Sequence, residues 1–160
     1  KGKTDPRKAV LTALKKHLAG FEQGTVLAYF ASFEKGVLRD LGKAFPRDAK
    51  WADAVCARME DLIEPFKEFW VHHPDQRGSN SLKNVLPAIT GQNGLNGTHH
   101  AYHSLDIQEG ASAQREYERV TYARVTAKER SRVYAALLAY CKQDTQSMID
   151  VLEYLRKAAG

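Results

Sequence analysis

The chain has 160 residues, 43% hydrophobic and 27% charged, with a formal net charge of +5. That balance excludes a disordered polyelectrolyte and suffices for a single domain, residues 1–160, with a hydrophobic core. The longest apolar runs are short, such as Tyr134 to Tyr140, which excludes a membrane-spanning helix, and two cysteines, Cys56 and Cys141, without a Cys-x-x-Cys pair suggest neither a zinc ribbon nor a disulfide framework. A reducing, cytoplasmic setting is therefore expected. The opening, Lys1-Gly2-Lys3-Thr4-Asp5-Pro6, has neither the apolar core nor the cleavage site of a signal peptide, and a start on Lys1 reads as a fragment. The positive charge suits a polyanionic partner such as nucleic acid. Because Lys and Arg are scattered, a solvated basic surface accounts for it equally well.

In chain order, Asp5-Pro6 predicts a helix start, with Asp as N-cap and Pro at the first helical position. Val10, Leu14 and Leu18 share a face, and Gly20 ends the helix. Residues 24–30 are short, β-branched and aromatic, and predict a buried strand. Ser32 is placed to cap a second helix carrying Phe33, Val37, Leu38 and Leu41, which stops before Pro46. Residues 49–62 form a third amphipathic segment. Residues 64–71 suit a strand or a helical turn, residues 72–79 a polar loop, and Ser79 or Ser81 a cap for a short helix through Leu82, Val85 and Leu86. Residues 90–102 are rich in Gly, Asn and His and lack periodicity, so a loop is expected. Thr126-x-x-Glu129 is a capping box that opens a long helix over 127–157.

That last helix carries the sharpest physical clue. Val133, Leu137, Cys141, Met148, Leu152 and Leu155 fall on one stripe, and Asp144 is the position that completes it. The pattern thus sets a carboxylate on the core-facing side, where an isolated charge is unfavourable unless it is paired, protonated or bound to a cation. Tyr140 lies one turn earlier on nearly the same face. The plainer alternative is that Asp144 pairs with a lysine or a backbone N–H at the core edge. Cys141, on the same stripe, is expected in the core.

Tyr140-Cys141-Lys142-Gln143-Asp144-Thr145 resembles the Tyr-x-x-x-Asp motif of the tyrosine-type DEDD 3′–5′ exonucleases, which have a ribonuclease-H-like fold. Tyr29-Phe30-Ala31-Ser32-Phe33-Glu34 resembles their second motif. The chain is most similar to a bacterial family of uncharacterised DEDD-like domains. The shared features are a Phe-Glu motif after a strand, Ser81-Leu82-Lys83-Asn84-Val85-Leu86-Pro87, Leu105-Asp106-Ile107-Gln108-Glu109-Gly110 and the Tyr140–Thr145 helix, in that order. The likeness covers about residues 5 to 157.

The resemblance implies an α/β, ribonuclease-H-like exonuclease domain acting on nucleic acid, DNA or RNA, through Mg²⁺ or Mn²⁺. Two such ions, about 4 Å apart, hydrolyse a phosphodiester and are held by carboxylates. By carry-over, Asp144 and Glu34 are metal ligands and Tyr140 orients the attacking water. Two features depart from the group's pattern. Its opening Asp-x-Glu motif does not occur upstream of residue 24, and Phe30 stands where relatives often have Asn, with Glu34 replacing Asp. The chain therefore matches the C-terminal part of such a domain: truncated at the N-terminus, mostly helical with few strands, and inactive by itself. A catalytically dead nucleic-acid- or protein-binding module is the alternative. With its first strands missing, the sheet is expected to present an open edge suited to a protein contact.

Other positions have competing readings. Glu34 in a first turn also complements the helix dipole. Asp61 suits a surface or capping acid, or with Phe30 the lining of a site. Lys83, Arg77 and Lys35 are candidate phosphate contacts, and Trp70, Tyr117 and Tyr122 candidate base-stacking side chains, set against ordinary solvated or core roles. His99 and His103 have a metal-like spacing but no nearby Cys or acid at ligand spacing, so no zinc site is expected.

Overall fold

A computed structural model describes residues 5–91 and 105–160. The chain packs as two compact units, Thr4–Pro65 and Phe66–Gly160.

In the first unit, α1 (Arg7–Leu18) starts where Asp5 accepts the Arg7 amide at 3.0 Å and clamps its guanidinium. After it come β1 (Val26–Ala28), α2 (Ala31–Ala44), a 3-10 turn at Pro46–Asp48, α3 (Ala49–Ala57) and β2 (Met59–Asp61). The two strands pair in parallel, with Val26 opposite Met59, Leu27 opposite Glu60 and Ala28 opposite Asp61. A parallel pair needs a crossover, which α2 and α3 supply. Their inner faces bury Ala31, Leu38, Ala52, Val55 and Cys56 against Ala28 and Met59. The two helices approach closely at Gly42, where a Cβ would lie 3.3 Å from the Ala49 Cα. The Asp48 carboxylate, nearly enclosed, accepts from Lys15 at 2.6 Å and from Lys8 at 2.8 Å, tying α1 to the 3-10 turn.

Three expectations change here. The strand expected over 24–30 is regular only over Val26–Ala28. The segment 49–62 is not one helix: α3 ends at Ala57 and Met59–Asp61 is the second strand. Met59 fits the strand as well as the helix pattern because its side chain enters the same core either way. Ser32 does not cap α2, which begins at Ala31 with Phe30 at the cap position.

The second unit contains a 3-10 turn at Pro74–Gln76, α5 (Leu82–Thr90), α6 (Gly110–Tyr122) and α7 (Ala127–Ala158); the short α4 (Glu64–Lys67), the helical turn in 64–71, leads into it. Val85 and Leu86 of α5, Val120 of α6 and Val151 of α7 are almost fully buried, as is Phe66. The buried Gln76 side chain accepts the His73 amide at 2.7 Å, which fixes the loop before α5. Ser81 precedes α5 without a side-chain capping bond. At the start of α7 the Thr126 hydroxyl accepts the Glu129 amide at 3.1 Å, but the Glu129 carboxylate turns to Arg119 of α6 at 2.8 Å instead of closing the box. The expected 127–157 helix is therefore present, while α6 was unread in the sequence.

The architecture is mostly helical with two parallel strands, compatible with an α/β class. Among the described residues no helix is long and apolar enough to cross a membrane. His99, His103 and residues 92–102 of the expected loop lie outside the described residues.

Candidate functional site

In the first unit the candidate residues gather where β1 runs into α2. Phe30 adopts the left-handed conformation, φ 69° and ψ 52°, which a bulky side chain rarely takes. A left-handed residue followed by a helical one turns successive N–H groups toward one point, making an anion-binding nest. The Asp61 carboxylate fills it. Its oxygens accept the amides of Phe30 at 2.8 Å and Ala31 at 2.7 Å, and also that of Ile63 at 3.1 Å. The register explains the encounter, since Asp61 sits opposite Ala28 at the end of β2, beside the start of α2. Asp61 is thus a capping acid that acts across the sheet, and its oxygens are engaged by backbone.

Glu34 stands in the first turn of α2 with one carboxyl oxygen, Oε2, buried and lacking a hydrogen-bond partner. Burial, followed by the Asp61 charge, raises its pKa above the usual glutamate range. Burial and the same charge also raise the pKa of Tyr29. The fold therefore brings together Tyr29, Phe30, Glu34 and Asp61, of which Tyr29 had no assigned role in the sequence. Phe30 is 59% exposed, and Lys35 is half-buried with its carbonyl accepting from the Cys56 thiol.

In the second unit, the packed side of α7 is not quite the stripe expected. Val133, Ser147 and Val151 are buried, Leu137, Tyr140, Asp144 and Leu155 are half-buried, and Cys141 is exposed. The expectation of a core Cys141 is corrected. One helical position away, Tyr140 faces inward instead, and the line continues through the polar Asp144 and Ser147. Ser147 can be buried because its hydroxyl donates to the Gln143 carbonyl at 2.8 Å and accepts from the Gln143 amide group at 3.3 Å.

Asp144 keeps its inward-leaning place and bonds to Tyr140. Burial, then the Asp144 charge and this hydrogen bond, hold the Tyr140 hydroxyl protonated, with its pKa pushed up to about 12. The hydroxyl lies close to the first residue of α6, since a Cβ at Gly110 would be 3.8 Å from it. Lys83 is occupied in the fold, its ammonium donating to the Gln108 carbonyl just before α6. Arg77 is exposed, in a left-handed conformation after the 3-10 turn.

Chemically the acids fall into two sets, Glu34 with Asp61 in the first unit and Asp144 with its tyrosine in the second. A two-ion centre needs several converging carboxylates. Among the described residues no group of three or more His, Cys, Asp or Glu is placed to hold a metal. Asp61 is committed to backbone amides, which leaves the open oxygen of Glu34 as the first unit's clearest acceptor. The described acids do not by themselves fit the Mg²⁺ or Mn²⁺ pair that the resemblance implies.

No curated protein and no solved structure matches the chain. One family model does, described as Domain of unknown function (DUF2779), over residues 1–81. That stretch is half of the 160-residue chain and includes Tyr29, Phe30, Glu34 and Asp61, whereas Tyr140 and Asp144 lie beyond it. The chain belongs to the family Domain of unknown function (DUF2779).

Proposed function

We propose that the chain is part of a metal-dependent 3′–5′ exonuclease or related phosphodiesterase acting on nucleic acid, and that it is inactive until further acids complete its ion centre. The observation that carries this reading is the Tyr140–Asp144 pair, a carboxylate on the packed side of α7 with a protonated tyrosine hydroxyl bound to it. The hydrogen bond fixes how the carboxylate is presented. A phenol that stays protonated at neutral pH can also donate to a water or a phosphate oxygen. The open, half-buried carboxyl of Glu34 supports the same reading from the first unit. No hydrolytic step is assigned to the chain alone, because its described acids are too few to hold two ions.

A second reading, a nuclease-like binding module without catalysis, is favoured by one observation: Asp61 serves as a backbone cap. The discriminating experiment incubates the native polypeptide that contains residues 1–160 with single-stranded DNA or RNA and Mn²⁺. The exonuclease reading expects progressive shortening, reduced at least about 100-fold by Asp144→Ala, and reduced by Tyr140→Phe with little change in substrate affinity. Binding without shortening of either nucleic acid supports the module instead. Neither binding nor shortening defeats both.

A further inference from the structure

Three stretches far apart in the sequence, Ser81–Pro87, Leu105–Gly110 and Tyr140–Thr145, are linked in the second unit. Lys83, in the first turn of α5, gives its ammonium to the Gln108 carbonyl. The Gln108 side-chain amide donates to the Leu105 carbonyl at 3.1 Å, which folds the segment back on itself, and the buried Ile107 side chain anchors it. Two residues after Gln108, Gly110 opens α6 with its backbone beside the Tyr140 hydroxyl. A chain of contacts therefore runs from an ammonium on α5, through this segment, to a phenol on α7, and α5 and α7 also pack directly.

A lysine fixed on a backbone carbonyl gives up rotamer freedom and part of the hydration of its ammonium, so most lysines keep their charge in water. Lys83 is instead half-buried. What the bond supplies is a fixed place for residues that have little else to hold them. Asp106, Gln108, Glu109 and Gly110 are exposed, Glu109 makes no side-chain capping bond at the start of α6, and Asp106 meets Arg132 only at 4.0 Å.

We propose that Lys83 is a positioning residue for the Tyr140–Asp144 pair: by pinning the segment before α6 it holds the Gly110 backbone against the phenol, which keeps the hydroxyl directed at Asp144 and sheltered from water. Lys83 thus acts through the backbone of Gln108 and not through a phosphate of a substrate. Its use in hydrolysis rests on the nuclease reading, whereas its hold on the phenol does not.

The test measures O-acetylation of Tyr140 by N-acetylimidazole, which acylates accessible phenols, in the native polypeptide with peptide mapping. Lys83→Met should raise the Tyr140 rate at least about 10-fold, and Lys83→Arg, which keeps a cationic donor, should stay within about 2-fold of the parent. Ile107→Ala, which loosens the same segment at its other anchor, should give the same selective rise. Tyr134, on the same helix with its ring beside Tyr117, is the internal control and should not change. An unchanged Tyr140 rate in Lys83→Met overturns the proposal, and so does an equal rise at Tyr134, the mark of general loosening. If the polypeptide shortens nucleic acid, Lys83→Met should lower kcat about 10-fold with little change in KM, whereas a raised KM with unchanged kcat would make Lys83 a phosphate contact and overturn the proposal. If it has no nuclease activity, the acetylation rates still decide whether Lys83 positions the phenol, so the two readings fail separately.

Discussion

Replacing Asp61 with alanine tests whether this acid works as a cap across the sheet. Its carboxylate accepts three amides, those of Phe30, Ala31 and Ile63, at 2.7 to 3.1 Å. Loss of a helix N-cap costs about 0.5–2 kcal/mol, and a hydrogen bond to a charged group contributes about 1.5–3 kcal/mol. Water replaces part of this at Phe30, which is exposed, so the full sum does not apply. The nest also holds Phe30 in a left-handed conformation that disfavours a bulky residue by about 1–2 kcal/mol, and release of that strain offsets part of the loss. Together these give an expected loss of about 2–4 kcal/mol in Asp61→Ala, read as a lower urea midpoint with an unchanged slope. For a unit of this size the melting temperature should drop by about 10 °C or more. Asp61→Asn, which keeps one carbonyl acceptor, should lose about half as much. Phe30→Gly, which removes the strain beforehand, should deepen the effect of Asp61→Ala by up to about 1 kcal/mol in a double-mutant cycle. A loss below about 1 kcal/mol in Asp61→Ala would refute the capping argument and favour the site-lining role of Asp61 instead.

Two further outcomes follow from the described environments. Because the Glu34 pKa is raised, the folded state binds a proton more tightly than the unfolded chain, so Glu34 lowers stability as pH rises from the ordinary glutamate pKa through its folded value. Glu34→Gln should accordingly raise the urea midpoint at pH 7 but not near pH 4, and equal effects at both would show that its carboxyl is not desolvated. Cys141 is exposed and Cys56 buried, so a thiol reagent should modify one cysteine quickly in the folded protein and the second only on unfolding; a Cys141→Ser variant that retains the fast reaction would contradict this placement.

Much of the fold could be read locally. Asp5 before α1, the β-branched Val26 run and Thr126 before α7 each act through neighbours a few residues away, and each marks an element end to within a few residues. The second strand was harder because Met59–Asp61 is only three residues long and follows an amphipathic helix without a turn signal. Helix α6 is poor in apolar residues and buries a single large side chain, Val120, while Arg119 pairs with Glu116 and Glu129, contacts that an apolar count does not register. On α7 the inward lean of Asp144 was legible but its neighbours were not. An apolar count favours Cys141, whereas Tyr140 and Ser147 take inward places through hydrogen bonds that a hydrophobicity pattern does not register. The cap on α2 was illegible for a different reason: its partner is 31 residues away and reaches it only through the pairing of the strands.

That distance bears on how the chain acquires its shape. The acid that closes the N-terminus of α2 follows the helix in sequence, so during synthesis at roughly 5–20 residues per second α2 emerges some seconds before Asp61. Until β2 docks, the first turn of α2 frays and Phe30 is at liberty to sample ordinary extended backbone. Ordering of that turn should then coincide with strand docking rather than with helix growth, which makes the amides of Phe30 and Ala31 natural reporters of the moment the crossover closes.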